Sequence, residues 1–225
     1  MGEPWFKPVA DHAVLIELAT EISEEANTAV QALDEAIAGA AIAGVSEVVP
    51  ALVNLLVIFD PLVTDHKAIE AAVRALLPIP DRAVSAGQTH DISVCYEDGF
   101  CPDLAAVAAQ SGMTTAAVIN AHVGGRYRVG MYGFAPGYAY LAGVPDAIQV
   151  PRKTAAVRDI PAGSVMIAGP QCLITTLVMP TGWSIIGRSP DQVMTDDPER
   201  PFLFAVGDVV TFTRISTDAL GRRMS

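Results

Sequence analysis

Residues 13–59 decide the fold of the first half of the chain, and they read AVLIELATEISEEANTAVQALDEAIAGAAIAGVSEVVPALVNLLVIF. The apolar run over residues 13–18 predicts a strand. Ser23 favours the start of a helix, and apolar residues then recur at helical spacing, namely Ala26, Val30, Leu33 and Ile37. Two further strands are predicted over residues 45–49 and 52–59, on either side of Pro50.

Working outward, the next residues predict a second helix and a fourth strand. Thr64 is a candidate N-cap for a helix that ends before Pro78. Residues 92–96, Ile-Ser-Val-Cys-Tyr, predict a last strand. The resulting β-α-β-β-α-β order is that of a ferredoxin-like α+β domain, with two helices on one face of a four-stranded antiparallel sheet. We therefore assign residues 1–96 to this first domain.

Residues 97–225 are predicted to form a second domain, because Gly99 and Pro102 interrupt the regular elements. Two short helices are expected first, over residues 103–110 and 114–121. Short β-rich runs between glycines and prolines then favour an antiparallel barrel or sandwich. These runs cover residues 127–131, 165–168, 173–177, 183–186 and 209–215.

The net charge of −11 argues against a nucleic-acid partner, because contacts with phosphates dominate such binding. The charge is unevenly placed. Up to Tyr96 there are 4 basic and 14 acidic residues, whereas from Glu97 onward there are 10 basic and 11 acidic ones. Nine of those ten cations are arginines. The rigid fork of arginine suits a carboxylate or phosphate ligand.

The sequence also predicts where the protein is found and which sites it lacks. It has no apolar run of about 20 residues and no basic region followed by an apolar stretch at its start. We therefore expect a cytoplasmic protein with no membrane partner. Neither the cysteines nor the histidines have metal-site spacings, so no metal site is expected. Cys95, Cys101 and Cys172 are predicted to be buried free thiols, with a catalytic cysteine as the alternative.

The densest unusual segment covers residues 132–141, Tyr-Gly-Phe-Ala-Pro-Gly-Tyr-Ala-Tyr-Leu. Glycines permit close approach of the backbone, and aromatic side chains provide flat walls for a small molecule. Phe134, Gly137 and Tyr138 are therefore candidates for substrate binding. A tight turn whose aromatic side chains pack into the core fits the composition equally well.

Polar candidates lie on later segments rich in glycine and proline, where loops on a rigid scaffold often carry sites. Arg152 and Arg188 are candidates for binding a carboxylate. Gln171 can donate to and accept from an amide, and Ser164 lies beside Gly163. Turn-making hydrogen bonds are the alternative for Ser164 and Gln171.

His122 is the candidate general acid or base, because it lies close to two arginines in the sequence and histidine titrates near neutral pH. A structural role is its alternative. The other histidines lie in the acidic first half and are predicted to be structural.

Six ordered segments carry a resemblance to a known family: GFAPGYAYL (133–141), PR (151–152), IPAGSV (160–165), IAGPQ (167–171), PTGW (180–183) and IGRSP (186–190). They resemble the allophanate hydrolase subunit 1 family, which is the carboxyltransferase domain, subdomain C and D. Its members include the B subunit of 5-oxoprolinase and the sporulation-kinase inhibitor KipI. The resemblance implies a cyclophilin-like β-barrel after the ferredoxin-like domain.

The resemblance also implies a function. It points to a component of an ATP-dependent 5-oxoprolinase-type hydrolase complex, which opens 5-oxoproline to glutamate. The implied partner is a complementary carboxyltransferase-like chain, resembling allophanate hydrolase subunit 2 or the C subunit of 5-oxoprolinase. ATP would be bound through the complex, because this chain has no phosphate-loop motif. Two alternatives stay open: an allophanate hydrolase or urea carboxylase-type component, and a KipI-like inhibitor of a histidine kinase.

Overall fold

The computed structural model describes residues 3–78 and 87–224, and the chain divides into two units, Met1–Ala86 and Gly87–Ser225. The first unit contains an antiparallel sheet of four strands in the order β1-β2-β4-β3, together with two helices. Its elements are β1 (Trp5–Val9), β2 (Ala13–Glu17), α1 (Glu24–Ala40), β3 (Val45–Pro50), β4 (Asn54–Phe59) and α2 (His66–Ala75).

The two helices of this unit begin at side-chain caps. Ser23 Oγ accepts a hydrogen bond from Ala26 N at 3.0 Å, which confirms the predicted start of α1. For α2 the cap is Asp65, whose Oδ1 accepts from Ala68 N at 2.8 Å, one residue after the predicted Thr64. The helices and the two central strands bury one core, formed by Val14, Ile16, Leu18, Val30, Leu33, Ile37, Leu55, Val57, Phe59, Ile69 and Val73.

The element order of the first unit is ββαββα, so the predicted βαββαβ order of a ferredoxin-like domain is not the one found. The strand that pairs with the outer side of β2 is β1, whereas residues 92–96 were predicted to be the last strand of this domain. Strand β1 was not predicted, because Pro4 and Pro8 argue against a strand in this segment. An edge strand tolerates proline because one of its sides needs no ladder hydrogen bonds.

The second unit contains a closed barrel of seven strands in the order β10-β7-β6-β13-β5-β12-β9. Two further strands, β8 and β11, pair as a separate ribbon. The strands are β5 (Thr89–Cys95), β6 (Tyr127–Tyr132), β7 (Ala139–Ala142), β8 (Val157–Ile160), β9 (Ser164–Ala168), β10 (Gln171–Ile174), β11 (Met179–Thr181), β12 (Ser184–Arg188) and β13 (Val209–Ile215). The helices are α3 (Leu104–Ser111), α4 (Thr115–Gly124) and α5 (Thr217–Met224), with a short 3-10 helix at Asp146–Ile148.

The strand predicted over residues 92–96 exists, but it is barrel strand β5. The structure therefore divides the chain between Ala86 and Gly87, ahead of the boundary expected after Tyr96. The alternating apolar residues of β5 would suit the sheet of either unit. Burial of Ile92, Val94 and Tyr96 in the barrel core shows that this strand belongs to the barrel.

The barrel departs from the antiparallel prediction in one pair of strands. Strands β5 and β13 run parallel, from Thr89 opposite Val209 to Cys95 opposite Ile215. A parallel pair needs a long connection, and here the connection between the two strands is the rest of the barrel.

The barrel wall has an inner and an outer apolar face, because side chains alternate along each strand. On β9, Val165 and Ile167 belong to the inner core with α3 and α4. Met166 and Ala168 belong to an outer cluster, which also contains Ile160 of β8 and Met179 of β11. The β8–β11 ribbon therefore packs on the outside of the barrel.

Helices α3 and α4 complete the inner core. Asp103, just before α3, accepts from Ile185 N at 2.7 Å and pairs with Lys153 Nζ at 2.5 Å, which fixes the helix start to β12. Taken one at a time, no helix within residues 3–78 and 87–224 has the length and apolar character to cross a membrane, and only the bent pair α3–α4 passes on length and composition together.

The placement of β5 predicts the effect of one substitution. Gly187 of β12 packs on β5, where an added Cβ would lie 2.5 Å from Val94 Cγ1 and 3.1 Å from Cys95 O. We predict that Gly187→Ala lowers the free energy of unfolding by about 1–3 kcal/mol, because the neighbouring strand must shift. Urea denaturation measures this change.

The matched control is Gly221→Ala in α5, where an added Cβ meets nothing within 4 Å. This variant should be as stable as the original chain or slightly more stable, because alanine favours helix. Equal stability of the two variants would contradict the placement of β5 in the barrel.

Candidate functional site

The outer face of the barrel carries a depression of about 190 Å³, which we call the aromatic recess. It is lined by Phe134, Tyr138, Tyr140, Arg152, Met166, Leu173, Pro180, Thr181, Gly182 and Trp183. These residues come from β7 and the loop before it, from the Arg152 segment, from β9 and β10, and from the β11–β12 turn. Three of the six sequence segments that carry the family resemblance therefore meet here.

The aromatic side chains of the recess form two contacting pairs. The ring centroids of Phe134 and Tyr138 are 5.5 Å apart, and those of Tyr140 and Trp183 are 5.9 Å apart in an edge-to-face arrangement. Tyr138 is buried, its hydroxyl donates to Met179 Sδ, and burial raises its pKa. The recess therefore offers the faces and edges of uncharged aromatic rings to a small ring.

Arg152 provides the positive charge of the recess. Its guanidinium lies over the Trp183 ring, with Cζ 5.5 Å from the ring centroid, which is a cation–π contact. The backbone around it is fixed, because Lys153 N donates to Gly182 O at 2.7 Å. Among the residues that the structure describes, no carboxylate pairs with Arg152, so its donors remain available to a ligand.

Phe134 lies at the lip of the recess in an unusual conformation. Its φ is 73°, in the left-handed region, and 74% of the residue is exposed. This conformation costs a residue with a side chain roughly 1–2 kcal/mol. The predicted ligand contact of Phe134 stays a prediction, and the structure places its exposed ring at the edge of the recess.

The predicted site residue Gly137 serves the backbone and does not line the recess. Its φ is 72°, and an added Cβ would lie 2.6 Å from Met194 Sδ and 3.1 Å from Thr176 Cγ2. Glycine is therefore required for the tight turn between Phe134 and Tyr138.

A second depression, of about 480 Å³, contains the predicted residue Arg188. We call it the Arg188 groove. Its lining includes Gly163, Thr175, Thr176, Arg188, Asp191, Met194, Asp196 and Arg223. The structure therefore places the two predicted arginines on different surfaces, with Arg152 in the aromatic recess and Arg188 in the groove.

Ser164 and Gln171 do not contribute side chains to either depression. Ser164 is buried, and its Oγ donates to Pro161 O at 2.8 Å, so the turn-making alternative describes it. Gln171 pairs with Ala168 at the far end of β9, about 13 Å along the strand from Ser164. The structure therefore does not bring Arg152, Arg188 and Gln171 together in one depression.

Two aromatic residues of the recess were not chosen as site residues from the sequence, namely Tyr140 and Trp183. A signal for each was present. Tyr140 follows Tyr138 by two residues, so a strand places both on one face. Trp183 ends the PTGW segment, which was recognised as unusual but gave no residue to the candidate list.

His122 is a core residue and cannot serve as the predicted proton carrier. It is 0% exposed, its Nδ1 lies 2.7 Å from Tyr96 Oη, and its ring packs against Phe212 with centroids 4.5 Å apart. Burial lowers its pKa to about 3. The ring therefore stays neutral near pH 7 and is closed off from any substrate. Its position in the last turn of α4, facing the barrel interior, was not visible in the sequence.

The three cysteines are free. Cys95 and Cys172 are buried, as predicted, and Cys101 is half-buried. Cys101 Sγ donates to Tyr96 O at 3.2 Å, and burial raises the pKa values of Cys101 and Cys172. Thiols with raised pKa values are poor nucleophiles near neutral pH, so a catalytic cysteine gains no support.

Burial of His122 predicts how the protein responds to pH. Its ring signals in NMR should stay constant between about pH 8 and pH 5, and in urea they should titrate near the ordinary value of about 6.5. The unfolded chain then binds a proton that the folded chain excludes. The free energy of unfolding should therefore fall as pH falls from about 6.5 toward 3. A titration midpoint of His122 above pH 5 in the folded protein would contradict its burial.

Comparison with known proteins assigns the family. The model for the carboxyltransferase domain, subdomain C and D, matches residues 4–204. The B subunit of 5-oxoprolinase from Bacillus subtilis (strain 168) is 32% identical over 220 residues, covering 92% of this chain and 91% of that protein. The chain therefore belongs to the family of the carboxyltransferase domain, subdomain C and D, which confirms the resemblance found in the sequence.

Two crystal structures share the fold. That of TTHA0988 has a TM-score of 0.79 at 32% identity, covering 92% of this chain and 40% of that one. That of the K. lactis urea amidolyase has a TM-score of 0.81 at 15% identity, covering 97% of this chain and 15% of that one. The second likeness shows the fold alone. In both cases the matching part belongs to a much longer chain.

Proposed function

We propose that this chain is a component of a 5-oxoprolinase-type hydrolase complex and that the aromatic recess binds the substrate. The observation that carries this proposal is the relationship to the B subunit of 5-oxoprolinase, which extends over nearly the full length of both chains. The recess supports it independently, because a small lactam with a carboxylate matches its size and chemistry.

The aromatic recess suits 5-oxoproline in two respects. Tyr140 and Trp183 offer flat apolar surfaces to the five-membered ring. Arg152 offers an unpaired guanidinium, which can bind the carboxylate of the substrate with two parallel hydrogen bonds. Phe134 at the lip would cover the bound ring and exclude water.

The chemical step needs more than this chain supplies. Hydrolysis adds water across the lactam C–N bond, with the oxygen on the carbonyl carbon and a proton on the nitrogen. The ionisable residues that line the recess are tyrosines and one arginine, which are poor general bases near neutral pH. We therefore propose that a complementary chain, resembling the C subunit of 5-oxoprolinase or allophanate hydrolase subunit 2, supplies the activating groups and that ATP binds elsewhere in the complex. Dependence on ATP would place the complex in the cytoplasm.

Two alternatives were left open by the sequence, namely a urea carboxylase or allophanate hydrolase component and a KipI-like inhibitor of a histidine kinase. The likeness to the K. lactis urea amidolyase, at 15% identity, does not favour the first. No contact within the recess favours the second. The glutamate-release test below distinguishes both alternatives from the proposed function.

The test is ATP-dependent release of glutamate from 5-oxoproline, measured with the chain alone and with the co-expressed complementary chain. We expect release only when both chains and ATP are present. Release from allophanate or urea instead, or inhibition of a histidine kinase without any turnover, would overturn the proposal in favour of the corresponding alternative.

Arg152→Gln tests the role of the recess. We predict that it raises KM for 5-oxoproline roughly 10- to 100-fold, because a hydrogen bond to a charged group contributes about 1.5–3 kcal/mol. Arg200→Gln is the matched control, since Arg200 is exposed and lies outside the recess. Steady-state kinetics of the complex measures both variants. Equal KM values would remove Arg152 from the binding site.

A further inference from the structure

Arg188 is a half-buried cation on the lining of the groove. It ends β12, and its Nε is buried with no hydrogen-bond acceptor. Within the described part of the chain, no carboxylate lies within salt-bridge distance of its guanidinium. Burial of an unpaired charge is costly, and here burial lowers the pKa of Arg188. An anion in the groove would remove this cost.

The other charges of the Arg188 groove limit what that anion can be. Asp191 is already engaged, since it accepts from Ser93 N at 2.6 Å and pairs with Arg223. Asp196 is an exposed carboxylate on the same lining. Two carboxylates repel a doubly charged phosphate more strongly than a singly charged carboxylate. The groove therefore favours a monovalent carboxylate.

Two threonines of the groove are committed to the fold. Thr175 Oγ1 donates to Pro161 O at 2.8 Å, and Thr176 Oγ1 donates to Pro136 O at 2.8 Å. Gly163 packs closely against Arg188, since an added Cβ would lie 2.5 Å from Ser189 O and 3.1 Å from Arg188 Nε. The guanidinium of Arg188 is thus a positive charge on the groove lining, and among the described residues its Nε has no hydrogen-bond partner.

We propose that the Arg188 groove is a second ligand site, in which Arg188 binds the carboxylate group of a small molecule. This site is separate from the aromatic recess that the proposed function uses. The loop from Phe134 to Tyr138 lies between the two, since Phe134 lines the recess while Gly137 packs on Met194 and Thr176 of the groove. Occupation of the groove can therefore change the position of the recess lip.

The test uses the full chain, labelled with ¹⁵N, and acetate as the probe. The Nε–H signal of Arg188 is assigned through bonds from its backbone, so the main readout needs no variant. We expect a saturable shift of this signal and of the Gly163 amide on addition of acetate. Sodium chloride at equal ionic strength should produce no such shift. Arg188→Gln should abolish the Gly163 response, whereas Arg152→Gln should keep it.

Three results would overturn this site: no shift with acetate, the same shift with chloride, or saturation by phosphate and not by acetate. The readout is independent of turnover. Saturable acetate binding in a chain whose complex releases no glutamate would overturn the proposed function and leave the Arg188 site standing.

Discussion

Parallel pairing of β5 with β13 closes the barrel, and the candidate site depends on that closure. The first strand of the second unit pairs with its last over seven residues. At the start of this pairing, Asp208 accepts from Gln88 N and Ala205 N, each at 2.8 Å, and lies 2.8 Å from His90 Nε2. One buried carboxylate thus links the residues before β13 to the start of β5 through three contacts. It joins two segments that are distant in the sequence.

Closure also decides on which side of the barrel a ligand can bind. Among the described residues, the inside is filled by the side chains of the inner core and by His122. The outside carries a second apolar cluster, and the β8–β11 ribbon covers part of it. Recognition is therefore expected on the outer face, where Arg152 and Trp183 meet. Arg188 reaches a different depression because it lies at the opposite end of β12 from Trp183.

Local sequence patterns predicted the elements better than their partners. The Ser23 cap and most of the longer strands follow from short-range spacing, whereas β1, β7, β8 and β11 were not predicted. The same spacing does not state which strands pair. For this reason residues 92–96 were assigned to the wrong sheet. The aromatic segment was recognised from its composition. The burial of His122 was not recognised, because the sequence of a short, mostly apolar helix does not show which of its faces is buried.

The most direct test of the aromatic recess uses its tryptophan as a probe. The chain has two tryptophans, Trp5 and Trp183, so Trp5→Phe leaves the recess residue as the single fluorophore. Titration of this variant with 5-oxoproline should change its emission saturably, because the ring of the ligand would lie against the indole. Emission that stays constant up to concentrations at which the complex turns over at full rate would contradict the account.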